Sequence, residues 1–308
     1  MVYFTRPELA LPIRHLLSIS DLSPQVLERI LDSAMALKEG AAAPQVAGKT
    51  LALVFEKPSL RTRVSFHVAM RQLAGDCIYL SPPEVGLGER ETAPDVARVL
   101  SRYVDAIAAR TFDHSTVEEL AQYSSVPVIN ALSETEHPCQ ALADLLTIRE
   151  RMGRLKGVSV AFIGDGNNVA NSLAIAGSIM GMDVRVASPE GYELTPETRA
   201  IAGDVKTTGD PLEAADGADV VYTDVWASMG QEGEASQRRE AFAGFTVDAN
   251  MMARAKPDAI FMHDLPAHRG EEVAAEVIDG PQSVVFDQAE NRLHAQKAVI
   301  AYVFEDEA

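Results

Sequence analysis

Ser59-Leu60-Arg61-Thr62-Arg63 places hydroxyls and arginines directly behind the apolar run Thr50–Phe55. Val64, Val68, Ala69 and Leu73 then recur at helical spacing, so a strand-to-helix turn falls near Ser59. Free backbone N–H groups at a helix start, with Arg61 and Thr62 in its first turn, favour a doubly charged oxyanion, most simply a phosphate. Alone, the stretch also reads as a capped helix with arginines on a solvated face, although so many donors in one turn favour the anion. Arg110 directly follows the strand-like run 106–109, where a ligand contact or a plain surface arginine both fit. His137 and Gln140 share one face of a helix that opens at His137-Pro138-Cys139-Gln140. By itself His137 reads as a cap or packing residue. Together with the turn and Arg110, the set suits a dianionic ester that carries a carbonyl: cations and N–H groups for the phosphate, neutral donors for the carbonyl oxygen as charge develops on it. Cys139 has no identifiable base and is not read as a nucleophile.

These side chains need elements to hold them. Ser23 as cap and Pro24 at the first helical position lead into Val26, Leu27, Ile30, Leu31, Ala34 and Leu37 at helical spacing. Strands are expected at 50–56, 77–80, 106–109 and 126–130, with helices from 59 and around 93–103 between them. A second cycle starts at 158–163, with further strands at 184–187, 220–223 and 260–263. Such alternation implies parallel sheets with helices on both faces. The expected fold class is α/β: two doubly wound parallel-sheet domains joined by interdomain helices near 139–152. A closing helix is expected at 291–304; packed back on the first domain, it would bring Arg292 toward the cleft between the domains. The expected domains are 1–138, with the C-terminal helix 289–308, and 139–288. The segment 229–245, rich in glycine and charge, reads as a mobile loop.

Composition limits the partners. The chain has 308 residues, 47% of them hydrophobic, which is enough for two buried cores. A formal charge of −18 disfavours nucleic acid and anionic membranes, so a bound phosphate must be captured by a local positive pocket. Cys77 and Cys139 do not make a disulfide framework and suit a reducing compartment. Zinc-type ligand spacing is missing, and no metal or cofactor is expected. The N-terminus lacks the apolar core of a signal peptide and no long apolar run follows, so a cytoplasmic protein is expected.

The pattern resembles the carbamoyltransferases, and most closely the ornithine-specific branch of the aspartate/ornithine carbamoyltransferase family. Carrying the resemblance are His15 to Asp21, the 59–63 turn, Ala109-Arg110-Thr111, His137-Pro138-Cys139-Gln140, Gly164-Asp165-Gly166-Asn167-Asn168-Val169, Asp224 with Ser228-Met229-Gly230, His263-Asp264-Leu265-Pro266, and Glu290-Asn291-Arg292. It implies that Ser59, Leu60, Arg61, Thr62, Arg110, His137, Gln140, Leu265 and Arg292 hold carbamoyl phosphate. Asn168, Asp224, Ser228 and Met229 would hold L-ornithine, with Asp264 beside its reacting amine. Arg61, Arg110, His137, Gln140 and Asp264 would then serve catalysis. The implied reaction is attack of the neutral δ-amine on the carbonyl carbon, giving L-citrulline and phosphate in arginine biosynthesis. The implied assembly is a homotrimer or a multiple of trimers. Asp224 and Asp264 suit an amine better than the second carboxylate that aspartate-specific relatives bind.

Four positions depart from the usual pattern of the family. Leu60 removes a hydroxyl from the turn, His67 stands where glutamate is usual, Gly86 replaces a polar residue that a neighbouring subunit offers to the phosphate, and Asp264 replaces a cysteine. An ionised Asp264 would hold the ammonium form of the substrate and raise its pKa. Rival readings are a carbamoyltransferase for putrescine or an N-acylated ornithine, a non-enzymatic binder of phosphate-bearing metabolites, and an NAD-dependent dehydrogenase. The last rests on Phe162-Ile163-Gly164-Asp165-Gly166, a strand followed by G-x-G without the third glycine, with Asn167-Asn168 crowding the pyrophosphate position.

Overall fold

The computed structural model describes residues 13–88, 90–227 and 232–305. Two parallel sheets organise them. The first contains β1 (Thr50–Phe55), β2 (Asp76–Leu80), β3 (Ala106–Arg110) and β4 (Val128–Leu132) in the order β2-β1-β3-β4. The second contains β5 (Ser159–Ile163), β6 (Asp183–Ala187), β7 (Lys206–Thr208), β8 (Val220–Thr223) and β9 (Ile260–Met262) in the order β7-β6-β5-β8-β9.

Side-chain alternation along the central strands explains the layering. Leu51, Leu53 and Phe55 of β1 enter one apolar cluster, whereas Ala52 and Val54 enter another. Val160 and Phe162 of β5 join the same cluster as Leu51, and Ala161 and Ile163 face the opposite way into a third. The inner faces of both sheets therefore share one continuous core, and each outer face carries its own. Between the sheets runs the Pro138–Met152 helix, buried from Pro138 through Ile148 and ended by Gly153 at φ 71°. A left-handed C-terminal residue of this kind is the natural place for glycine. The Val285–Val303 helix packs on that helix, on Pro24–Lys38 and on Leu60–Gln72, so the chain's end returns to the first half.

The α/β class, the parallel sheets and the returning helix agree with the sequence reading. The closing helix starts at Val285, ahead of the expected 291. The strand expected at 126–130 lies at Val128–Leu132, since Pro127 cannot donate to a ladder. β7, a Lys-Thr-Thr edge strand with little apolar signal, was not anticipated.

Each sheet reverses its strand order once, between β1 and β3 and between β5 and β8. Register places Phe55 beside Arg110 in one sheet and Ile163 beside Thr223 in the other. The residues just beyond these strands flank two crevices of the type in which open α/β sheets bind ligands.

Candidate active site

The first crevice is cationic. Ser59, in extended backbone, caps the Leu60–Gln72 helix by accepting from the Thr62 N–H at 3.3 Å. The other N–H groups of that first turn remain available to an anion. The exits of β1 and β3 are tied together, because the Glu56 N–H donates to the Arg110 carbonyl at 2.8 Å and Glu56 Oε2 accepts from the Phe112 N–H at 2.7 Å. This tie sets Arg110 beside the turn. Burial and the neighbouring Arg292 and Arg61 push Arg110 down to about 10. Burial and Arg110 likewise lower the Lys57 ammonium, which lies over the Phe112 ring at 4.4 Å. Four cations thus crowd one cavity of a chain with a charge of −18, an arrangement that an incoming anion relieves.

His137 precedes the Pro138–Met152 helix and is pinned by its own N–H, which donates to Ser172 Oγ in the second half at 2.9 Å. Arg292, 5% exposed, reaches over from the C-terminal helix. It donates from Nη1 to Gln140 Oε1 at 2.6 Å, and from Nη2 to Thr62 Oγ1 and His137 Nε2, both at 2.8 Å. A guanidinium only donates, so His137 accepts at Nε2 and carries its proton on Nδ1. Burial and the charges of Arg292 and Arg110 hold the ring neutral, well below the usual histidine range. Nδ1–H has no protein partner, and His137 lines the cavity. Thr62, already accepting from Arg292, has its own hydroxyl proton to offer.

The second crevice is acidic. Asn167 caps the Asn168–Ile179 helix and donates from Nδ2 to Asp224 Oδ2 at 2.8 Å, while Asp224 Oδ1 accepts from the Val225 N–H at 2.7 Å. Asn168 donates to the Ser133 carbonyl at 2.6 Å, joining the halves. Asp264 follows β9 and shares a hydrogen bond with Asp224. Burial and Asp224 raise its carboxyl well above the usual range. Asp224, His263 and Asp264 bring possible ligand atoms within 4.8 Å of one another. His263, however, accepts from the Leu265 N–H at Nδ1, 2.9 Å away, and faces Glu272 Oε1 through Nε2 at 3.2 Å. Both ring nitrogens are committed, so the pair of carboxyls suits an ammonium better than a metal. Leu265 sits at φ 61°, a strained conformation for a side chain of its size.

One cavity of about 540 Å³ collects Ser59, Leu60, Arg61, Thr62, Arg110, His137, Asn168, Asp224, Asp264, Leu265 and Arg292. Gln140 lies one layer back, beside Arg292 and Asp264 in an adjoining cavity, with its oxygen and one N–H engaged. Ser228 and Met229 lie outside the described residues. Lys57 and Pro266 also line the site and were not singled out from sequence as site residues, although Lys57 lies two residues ahead of the Ser59 turn.

Two other readings change. The 229–245 segment, expected as a mobile loop, contains a helix at Ala235–Ala241 whose Arg238 donates to Asp165 Oδ2 at 2.6 Å and to the Trp226 carbonyl at 2.8 Å. His67 is exposed, and the nearby Arg63 stacks on Tyr79 at 3.9 Å. The G-x-G turn is filled by the chain itself. Gly166 N–H donates to the Tyr192 carbonyl at 2.8 Å, and a Cβ at Gly166 would meet Glu193 and Leu194 backbone at 2.4 Å. The 190–194 loop, more than Asn167-Asn168, thus closes the place where a pyrophosphate would lie.

Comparison with known proteins agrees with this geometry. Residues 14–150 match the family described as aspartate/ornithine carbamoyltransferase, carbamoyl-P binding domain, and residues 156–303 match its Asp/Orn binding domain. An ornithine carbamoyltransferase of Pyrococcus abyssi is 55% identical over 302 residues, 94% of this chain and 95% of that protein. An anabolic ornithine carbamoyltransferase of Pyrococcus furiosus is 54% identical over 304 residues, 94% of this chain and 96% of that protein. A solved structure of ornithine carbamoyltransferase from Pyrococcus furiosus superposes with a TM-score of 0.90 at 54% identity, covering 94% of this chain and 96% of that one.

Proposed function

The chain belongs to the aspartate/ornithine carbamoyltransferase family, and we propose that it transfers the carbamoyl group of carbamoyl phosphate to the δ-amine of L-ornithine, giving L-citrulline and phosphate. One observation carries this reading: a cluster of Lys57, Arg61, Arg110 and Arg292 shares a cavity with the carboxyls of Asp224 and Asp264. A dianion and a cation are thereby drawn to the same space from opposite halves of the fold.

The helix start at Ser59, with Arg61 and Thr62, binds the phosphate, and Arg110 and the Nδ1–H of His137 donate to the carbonyl oxygen as it becomes the oxyanion. Leu60 contributes its backbone N–H. Gln140 and Arg292 hold the donors in place through their observed bonds. Asn168 and Asp224, with Ser228 and Met229, hold the amino acid, and Asp264 lies beside the δ-amine, with Leu265 next to the carbamoyl group. A free amine near pKa ~10 is mostly protonated at neutral pH and cannot attack. Asp264 is suited to remove that proton, because burial and Asp224 raise its carboxyl and so make its carboxylate a stronger base. The amine nitrogen then bonds to the carbonyl carbon, the carbon–oxygen bond to phosphate breaks, and phosphate leaves without a covalent enzyme intermediate. Closeness and orientation supply much of the acceleration.

We assign residues 1–138 with the C-terminal helix 289–308 to carbamoyl phosphate and 139–288 to ornithine. The contact of Arg292 with Thr62 supports grouping the last helix with the first lobe. We place the enzyme in the cytoplasm and in arginine biosynthesis. Free thiols at Cys77 and Cys139 support a reducing compartment. A homotrimer, or a multiple of one, is supported by exposed Leu60, Val64 and Ile78 on the first lobe.

Assays of carbamoyl phosphate with ornithine, putrescine, N-acetylornithine and aspartate test the reading. Ornithine is expected to be the preferred acceptor. Failure to carbamoylate any of the four would overturn it, and preference for another amine would correct the acceptor.

A further inference from the structure

Asp144 is fully buried near the site, at 0% exposure, and it does not touch the cavity. Its carboxylate accepts three hydrogen bonds: Oδ1 from Gln140 Nε2 at 2.8 Å and from Gln288 Nε2 at 2.7 Å, Oδ2 from the Tyr222 hydroxyl at 3.1 Å. The donors come from the central helix, the C-terminal helix and β8. The two glutamines continue into the site. The other end of the Gln288 amide accepts from the His263 N–H at 2.9 Å, next to Asp264, and the other end of the Gln140 amide accepts from Arg292 at 2.6 Å. Arg292 in turn holds Thr62 and His137.

An amide has one accepting and one donating end. A carboxylate that only accepts therefore sets the direction of both glutamines, turning the Gln140 oxygen to Arg292 and the Gln288 oxygen to His263. Reversing Gln140 would set its NH₂ against the guanidinium.

We propose that Asp144 is a positioning residue for carbamoyl transfer: its carboxylate polarises the two amides that aim Arg292 at the phosphate turn and brace the Asp264 loop. This rests on the reaction assigned above. Charged or titratable groups facing Asp144 are Tyr222 from β8, Arg292 from the C-terminal helix and Asp264 from the loop after β9. Burial pushes the Asp144 carboxyl up to about 7, while its three hydrogen bonds and Arg292 oppose that rise. The acceptor-only form is then lost as pH falls below neutrality.

Asp144→Asn tests the idea, because asparagine is neutral and brings one accepting oxygen where the carboxylate serves the two glutamine amides and the Tyr222 hydroxyl with two. The KM for carbamoyl phosphate is expected to rise about 10- to 100-fold, with a smaller rise in the ornithine KM through the loosened Asp264 loop. The acidic limb of the carbamoyl phosphate KM profile, near pH 7, should disappear, while the limb that Asp264 gives to kcat remains. Tyr222→Phe removes one donor to the carboxylate and should move that limb to higher pH, which keeps the test open if Asp144→Asn does not fold. A folded Asp144→Asn enzyme with wild-type carbamoyl phosphate KM and an unmoved limb overturns the proposal, as does an unmoved limb in Tyr222→Phe. Inorganic phosphate binding, followed by calorimetry, separates the two failures. Wild-type protein without transferase activity removes the assigned reaction, whereas equal phosphate affinity in wild type and Asp144→Asn removes only the role of Asp144.

Discussion

Arg292 Nη2 lies 2.8 Å from His137 Nε2, and this contact decides which nitrogen of His137 carries the proton. The same guanidinium also holds Thr62 and Gln140, so one side chain of the C-terminal helix fixes two groups of the first lobe and one at the start of the central helix. Lysine has the charge without the planar fork and cannot serve all three acceptors. Arg292→Lys is expected to lower kcat/KM for carbamoyl phosphate by about 100-fold or more, from the loss of hydrogen bonds worth ~1.5–3 kcal/mol each. Steady-state kinetics check this. A loss below about fivefold would mean that the orientation of His137 does not depend on Arg292.

The Asp224–Asp264 pair makes empty-site stability depend on pH. The Asp264 carboxyl is raised in the folded protein, so its contribution is fully present below the unfolded value near ~4 and is lost as pH rises through the folded one. Asp264→Asn removes that loss. The variant should melt above wild type at pH 7 to 8, by about 2–4 °C per kcal/mol relieved, and the difference should shrink toward pH 4. Thermal scans across pH decide it, and a gap independent of pH would sever the link to ionisation. In turnover, Asp264→Cys should change the pH dependence of kcat, whereas an unchanged profile would remove Asp264 as proton acceptor.

What could be read from sequence follows the range of the contacts. The phosphate turn is local: strand, cap, arginine and hydroxyl lie within a few residues, and period alone places them. Arg292 is different, since its partner Thr62 is 230 residues away and only resemblance brings it to the cleft. Asp144 escaped notice because its helix is buried all round, so periodicity assigns it no face, and Tyr222 and Gln288 lie 78 and 144 residues away. The anchored helix at Ala235–Ala241 was hidden by a glycine-rich, charged composition, because Arg238 finds its partner at Asp165, 73 residues earlier.

Leu60 is 76% exposed at the first position of its helix and lines the cavity. Little packing holds it, so Leu60→Thr should change stability by less than about 0.5 kcal/mol. The added hydroxyl is a new donor beside the phosphate. The carbamoyl phosphate KM is expected to fall by roughly threefold to tenfold, corresponding to one net hydrogen bond of ~1 kcal/mol. An unchanged KM would show that the backbone N–H at this position already satisfies the ligand.

Glu272, at 0% exposure, holds the loop that carries Asp264. Its Oε1 takes the His263 Nε2–H at 3.2 Å and the His268 backbone N–H, and His263 in turn accepts from Leu265 at φ 61°. Such backbone costs ~1–3 kcal/mol and persists where its surroundings overdetermine it. Glu272→Ala leaves the buried His263 Nε2–H and the part-buried His268 N–H without an acceptor and is expected to cost ~2–4 kcal/mol in denaturant unfolding. It should also raise the ornithine KM as Asp264 loses its place. Glu272→Gln keeps one accepting oxygen and should retain most of both properties. If Glu272→Ala were as stable as wild type yet equally impaired toward ornithine, Glu272 would act through its charge and not through the bonds it accepts.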